Sequence, residues 1–328
     1  RAVPLEPWER KGGLGVFINL EGAGESDDAY LCEIPPAGSL KPQKHMFEET
    51  IFILKGRGAT TIWTDGGSKR TFEWQEGSLF SPPLNVWHQH FNGQEDQPAR
   101  YLAVTTAPVI VNLFRSLDFV FNNDFVFHDR YDAREDYFGP RGKSYASRVG
   151  MVWESNFIPD TRSFKLHDYG IRGAGGKNVK FALSDNTLGV HISEFPVGTY
   201  KKAHRHGPGA HVVILSGKGY TLMWPAEGQP KRKFDWHEGS MLVPPDFWFH
   251  QHFNTGKEPA KYLAVTWGSA KFGVSWRLSM SKHVRSYESV KVGGNQIDYE
   301  DEDPDVRQIF EEELAKEGVE VKMPLAKG

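Results

Sequence analysis

Cysteine is almost missing from this chain. Cys32 is the only one in 328 residues, so no intramolecular disulfide forms and any metal site must use nitrogen and oxygen ligands. That usage suits a reducing compartment, and the cytoplasm is the expected location. Long apolar runs are missing too. None approaches the ~20 residues needed to span a bilayer, and no membrane partner is expected. Positive charge is not in excess either. Lys plus Arg number 39 against 42 Asp plus Glu, and the formal charge is -3. No basic cluster offsets that balance, which argues against nucleic acid as a partner. The chain opens on Arg1 rather than methionine, which leaves room for a preceding segment such as a cleaved signal.

What is abundant is turn-forming and aromatic: 34 glycines, 20 prolines and 13% Phe, Trp and Tyr. Many short strands with large rings between them fit that composition. The length exceeds what a single core usually supports, and the sequence repeats. Glu73–Ser78 and Val86–Asn92 return as Asp235–Ser240 and Trp248–Asn254, with His88 matched by His250. Arg100–Thr105 returns as Lys261–Thr266, Ile53–Gly58 as Ile214–Gly219, and Trp63 as Trp224. Two copies of a ~160-residue unit indicate domain duplication, with expected domains at 1–150 and 151–328. Each copy alternates β-branched and aromatic runs with Gly and Pro turns, which reads as all-β. Helices are expected outside the repeats. Ile110, Leu113, Phe114 and Leu117 share one helical face. Near the end Asp303 can cap a helix that starts at Pro304, carries Val306, Ile309, Phe310 and Leu314 on one stripe, and stops at Gly318. The acidic run from Tyr299 to Asp305 reads as a solvated lead-in to that helix.

The histidines carry the chemistry. Alternate residues of a strand face the same side, so His204 and His206 can chelate one ion. A third ligand, His250, is available in Gly239-x5-Pro245-x4-His250-x3-Asn254. His252 and its counterpart His90 share the parity of His250 and His88, either as partners that orient a ligand or as structural groups. By the same parity Lys202 points to the cavity, where it can pair with a substrate carboxylate, or it faces solvent. His211 has the opposite parity and is expected to pack away from the cavity.

These residues resemble the two cupin motifs, G-x5-H-x-H-x3-E-x6-G and G-x5-P-x-G-x2-H-x3-N. The second copy carries Gly198, His204, His206 and Gly217, then Gly239, Pro245, His250 and Asn254. The first carries Gly38, His45, Glu49 and Gly56, then Gly77, Pro83, His88 and Asn92. The resemblance implies two tandem cupin barrels, each a double-stranded β-helix or jelly roll, with a few peripheral helices. Two departures differentiate the halves. Ala210 stands where the motif has glutamate, which leaves a three-histidine site in the second barrel. Gln43 replaces the first histidine of the first barrel, leaving His45, Glu49 and His88 as a two-His-one-Glu set with Gln43 as a poor fourth donor. An all-His set is similar to that of gentisate- and salicylate-type and other cupin dioxygenases.

The resemblance therefore implies an Fe(II) oxidoreductase, with Mn, Ni, Cu and Zn as alternative metals, acting with O₂ on a small aromatic or carboxylate-bearing substrate. His252 and Lys202 are the catalytic candidates. Tyr220, Met223, Trp224 and Trp248 are the expected pocket lining. An O₂-independent isomerase, decarboxylase or lyase is the first alternative, and a non-catalytic binding or regulatory bicupin the second. Barrel edges and amphipathic helices make a homo-oligomer, a dimer or larger, the expected assembly.

Overall fold

The computed structural model describes residues 4–23, 26–139, 141–147, 150–207, 209–269, 271 and 287–323. The first half folds into two facing sheets. One runs in the order Glu6–Trp8, Gly13–Ile18, Asp28–Ile34, Ala99–Thr105, Glu49–Lys55, Leu79–Phe80 and Phe157–Ile158; the other is Arg70–Gln75, Arg57–Trp63 and Trp87–Asn92. The second half repeats this arrangement. Its large sheet includes Lys177–Ala182, Leu188–Phe195, Ala260–Trp267, His211–Ser216 and Met241–Leu242, and its smaller one Arg232–His237, Lys218–Trp224, Phe249–Asn254, Ala203–His204 and Gln296–Ile297. Strand order departs from chain order within each sheet, as a jelly roll requires. Phe157–Ile158, beyond the expected boundary at 150, pairs with Leu79–Phe80 of the first barrel.

The duplication reaches the details of the backbone. The register slips between Ile53 and Lys55 in one barrel and between Ile214 and Ser216 in the other. Gly56 and Gly217 follow with φ of 92° and 90°, a conformation that only glycine adopts without strain. Gly58 and Gly219 are needed for a different reason. A Cβ on either would meet the ring of Trp74 or Trp236 at 2.5 and 2.7 Å, so each tryptophan lies flat across its neighbouring strand.

Four apolar clusters account for the packing. Each barrel interior holds one: Tyr30, Ile51, Phe80 and Tyr101 are in the first, and Ala210, Met223, Trp236 and Tyr262 in the second. A third joins the barrels through their large sheets, with Phe52, Leu102 and Val104 against Val190, Val213 and Leu263. The fourth lies outside the small sheet of the second barrel, where Tyr220, Trp224 and Phe253 are covered by Val306, Phe310 and Leu314. Those three residues belong to the C-terminal helix Pro304–Glu317, which begins after Asp303 and ends at Gly318 with φ 65° as expected. The Asp303 side chain makes no cap bond. Its carboxylate pairs instead with Lys231, as does Asp305, while Asp301 pairs with Lys291. The acidic run is thus tied down by lysines rather than simply solvated.

The other expected helix is two. Helix α1 spans Ala107–Phe114 and α2 spans Leu117–Asn122, separated by Arg115 at φ 50°. Leu113, Phe114 and Leu117 are 68%, 44% and 64% exposed, so the apolar stripe read from spacing faces outward. One left-handed residue breaks the helical phase on which that stripe depended. Val120 is buried instead, and its carbonyl accepts from the Met46 amide, which holds α2 against the loop carrying His45.

Polar groups also cross between the barrels. The buried Glu48 carboxylate accepts hydrogen bonds from the Thr187 amide and hydroxyl, the Leu188 amide and Arg130. His211 faces away from the histidine cluster, as expected, and lies fully buried with Nδ1 3.3 Å from Asp27 of the first half. Replacing Glu48 with alanine strands several of these donors in a buried contact. Glu48→Ala should therefore cost about 3 kcal/mol, measured as a lowered urea midpoint, with Glu48→Gln losing less.

Candidate metal centres

In the first barrel Glu49 opens its strand, His88 sits on the facing sheet, and His45 precedes Glu49 by one loop. His45 Nδ1 lies 2.8 Å from the Phe47 carbonyl and His88 Nδ1 3.0 Å from the Val86 carbonyl. A carbonyl only accepts, so each ring carries its proton on Nδ1 and a lone pair on Nε2. Those Nε2 atoms lie 3.6 and 3.7 Å from Glu49 Oε2. All three atoms are buried without a hydrogen-bond partner. Converging lone pairs with no proton between them repel, and a cation relieves this, so the donor set fits a divalent metal.

Behind the cluster Glu49 Oε1 accepts from the Tyr30 hydroxyl, and Lys11 Nζ lies 3.9 Å from the same oxygen. Burial opposes ionisation of Glu49, yet the Lys11 ammonium beside it holds it well below the usual carboxylate range. The Gln43 amide oxygen accepts from Lys11 Nζ at 3.1 Å. It supports the cation behind the site. Phe47 stacks on His45 at 3.8 Å, and His45, Glu49 and His88 are at most 5% exposed, so this centre is closed.

In the second barrel His204 pairs in register with His250 on one side and Gln296 on the other. His204 Nδ1 lies 3.0 Å from the Lys202 carbonyl and His250 Nδ1 3.2 Å from the Trp248 carbonyl. The same argument leaves Nε2 free to ligate on both rings. His206 joins them, with ring centres 4.9 Å from His250 and 5.6 Å from His204. One ligand atom from each of the three lies within 4.8 Å of the others. Burial holds His250 neutral down to about pH 4 and likewise pushes His204 well below the ordinary imidazole value. Neutral imidazoles are what a metal binds. His206 is only half-buried, which makes this centre the more open of the two.

Comparison with known proteins agrees with the architecture. Residues 30–105 match the family described as "Cupin domain". A mutant of the Bacillus subtilis oxalate decarboxylase superimposes with a TM-score of 0.54 at 16% identity, covering 84% of this chain and 79% of that one. The fold is that of a bicupin. The Lactobacillus farciminis oxalate decarboxylase formate complex gives 0.54 at 15% identity, over 87% and 90% of the two chains. Vicilin from Corylus avellana (hazelnut) gives 0.51 at 13%, over 82% and 84%. No curated protein sequence matches the chain significantly.

Within this bicupin the structure separates the expected pocket residues. Met223 lies opposite His250 in register and packs inside the barrel, with Trp248 half-buried against the same cluster. Tyr220 and Trp224 do not line the interior. They alternate with Thr221 and Met223 along one strand, and so fall on the outer face beneath the C-terminal helix. Lys202 also turns away, its Nζ 2.7 Å from Asp298. The neighbouring Lys201 occupies the interior instead, because the pairing slips by one residue between Tyr200, opposite Phe253, and His204, opposite His250, and strand parity does not extend back through the slip.

His252 makes no bond to the histidine cluster. Its Nδ1 lies 2.8 Å from the Thr221 hydroxyl, which accepts from the Trp236 indole. His90, Thr60 and Trp74 repeat this chain in the first barrel, so the parity signal marks a structural relay common to both. Two cationic groups were not anticipated: Arg172 and Lys201, buried near the second cluster. The repeat contained a signal for the first, since the spacing of 161 that relates Glu49 to Ala210 also relates Lys11 to Arg172.

The relay generates a pH dependence. Burial lowers His90 from 6.5 to about 3, so the unfolded chain takes up a proton that the folded one refuses throughout that interval. The His90 contribution to stability should be constant above about pH 6.5 and fall as the pH drops toward 3. His90 alone contributes about 2 kcal/mol of loss at pH 5. Urea unfolding at a series of pH values checks this, and His90→Gln should flatten the slope.

Proposed function

We propose that this bicupin is a metal-dependent enzyme whose reaction takes place in the second barrel, on a single divalent ion held by His204, His206 and His250. The observation that carries this reading is the contrast between the two centres. The first combines two imidazoles with a carboxylate and is closed by Phe47 and α2. The second has three imidazoles, Ala210 in place of the carboxylate, and one ligand, His206, that is only half-buried. Closed sites suit structural ions, whereas catalysis needs open positions. The first centre holds its own ion through His45, Glu49 and His88.

Fe(II) is the favoured ion, ahead of Mn, Ni, Cu and Zn, and supplies a Lewis acid and electrons for O₂ to a bound small molecule. The chain's own groups define what reacts. His204 and His250 are locked by the carbonyls of Lys202 and Trp248, so their rings cannot turn away from a substrate. Ala210 contributes no charge, which leaves the anionic oxygens of a substrate to balance the site. Met223 and Trp248 give it an apolar wall. Dioxygenation of an aromatic or carboxylate-bearing substrate is the reaction we favour. Decarboxylation without O₂ is the second reading, favoured by the similarity in fold to oxalate decarboxylases, one of which is described with Mn(II) centres.

Metal analysis and oxygen consumption test the proposal together. His204→Ala should lower metal content by about one ion per chain and abolish turnover. His88→Ala should lower it by about one and leave turnover in the second barrel. Unchanged metal content in His204→Ala would sink the assignment. Product release at an equal rate with and without O₂ would favour the decarboxylase over the dioxygenase.

A further inference from the structure

The two barrels differ in charge as well as in ligands. In the first, one buried cation answers one buried carboxylate: Lys11 lies 3.9 Å from Glu49. At the matching positions of the second, Lys11 becomes Arg172, Leu40 becomes Lys201 and Glu49 becomes Ala210. One cation has become two, and the carboxylate is gone.

Lys201 is 3% exposed, and the partners of its Nζ are the Ser193 hydroxyl and the Tyr262 hydroxyl, the latter at 3.1 Å. Neither is charged, and a buried ammonium without a counter-ion is unfavourable. Its amide donates to the His252 carbonyl at 3.0 Å, on the strand that carries His250. Arg172 is 8% exposed and reaches the cluster from the other side. Its Nη1 donates to Gln296 Oε1 at 2.9 Å, and Gln296 is the register partner of His204.

The field of these cations is felt by their neighbours. Burial drives His191 well below its ordinary value, and Lys180, Lys201 and Arg172 drive it further. The Tyr287 phenol, 4.3 Å from the Arg172 guanidinium across its ring face, goes the other way. Burial alone would raise it, but Lys180 and Arg172 bring it down to about 7. Tyr287 thus answers part of the charge around Arg172. Among the described residues Lys201 has no such partner.

We propose that the second barrel recognises an anionic small molecule, a carboxylate, whose charge is met by Lys201 and Arg172 beside the three histidines. This rests on the reading of that barrel as the reacting site and names the class of substrate it takes. Arg172 offers a planar pair of donors that matches a carboxylate, and Lys201 a point charge. A neutral analogue of the same shape leaves the Lys201 ammonium buried without a counter-charge, so discrimination arises from charge rather than size.

Titration calorimetry on the full chain tests this, with malonate and benzoate as probes against malonamide and benzamide, in metal-loaded and chelator-treated protein. At least one carboxylate should bind about tenfold or more tightly than its amide. Lys201→Met and Arg172→Met should each erase that preference, while Lys218→Met, on the exposed surface, should keep it. Lys201→Met should also melt no lower than the parent, since it removes a buried charge. Carboxylates that bind no better than their amides, or a Lys201→Met variant that binds like the parent, would overturn the proposal. Metal content separates the two claims. A chain that prefers carboxylates but loses no metal in His204→Ala retains the anion site and loses the metal-enzyme reading.

Discussion

Main-chain carbonyls fix the proton on Nδ1 of His45, His88, His204 and His250, and both centres depend on this. In three of the four the carbonyl belongs to the residue two positions before the ring, so the backbone leading into each strand sets the tautomer of its histidine. No separate carboxylate is needed to orient these ligands, and neither centre shows one in that role. The barrel backbone itself does the work that outer hydrogen-bond partners do in other metal sites. Replacing Glu49 with Ala210 alters the charge of a centre while its imidazoles stay in place, because nothing that aims them was lost.

Much of this was legible in the sequence, and for a physical reason. Duplication displays each motif twice, and the ligands lie within motifs whose spacing is set by strands and tight turns. His204, His206 and His250 come together as spacing predicts, and so do His45, Glu49 and His88. Parity failed where the strand was too short to carry it. Lys202 counts as inward if an ideal strand is extended back from His204, but the pairing slips by one residue before His204 and Lys201 faces inward instead. Parity also cannot say which face of a sheet is the inside. Tyr220 and Trp224 are expected in the pocket because they follow the first motif, yet they lie under the C-terminal helix, whose apolar stripe requires a covered outer face.

The helical spacing from Ile110 to Leu117 failed for a related reason. Periodicity assumes an unbroken phase, and Arg115 interrupts it. Arg172 was invisible for a different reason. It lies on a short 3-10 turn at Gly170–Arg172, far in sequence from the histidines, and is brought to them by packing. Only alignment of the two halves shows it as the counterpart of Lys11.

The strand Gln296–Ile297 forms a wall of the second barrel beside His204, while every ligand of the first centre precedes residue 92 and the helices that cover it end at Asn122. Order of synthesis therefore separates the two centres in time. The first ligand set and the helices that cover it are made well before Gln296–Ile297, the strand that supports the second. The reactive barrel is thus the one whose assembly waits for Gln296–Ile297, so a chain interrupted before that strand would carry the closed centre without the open one.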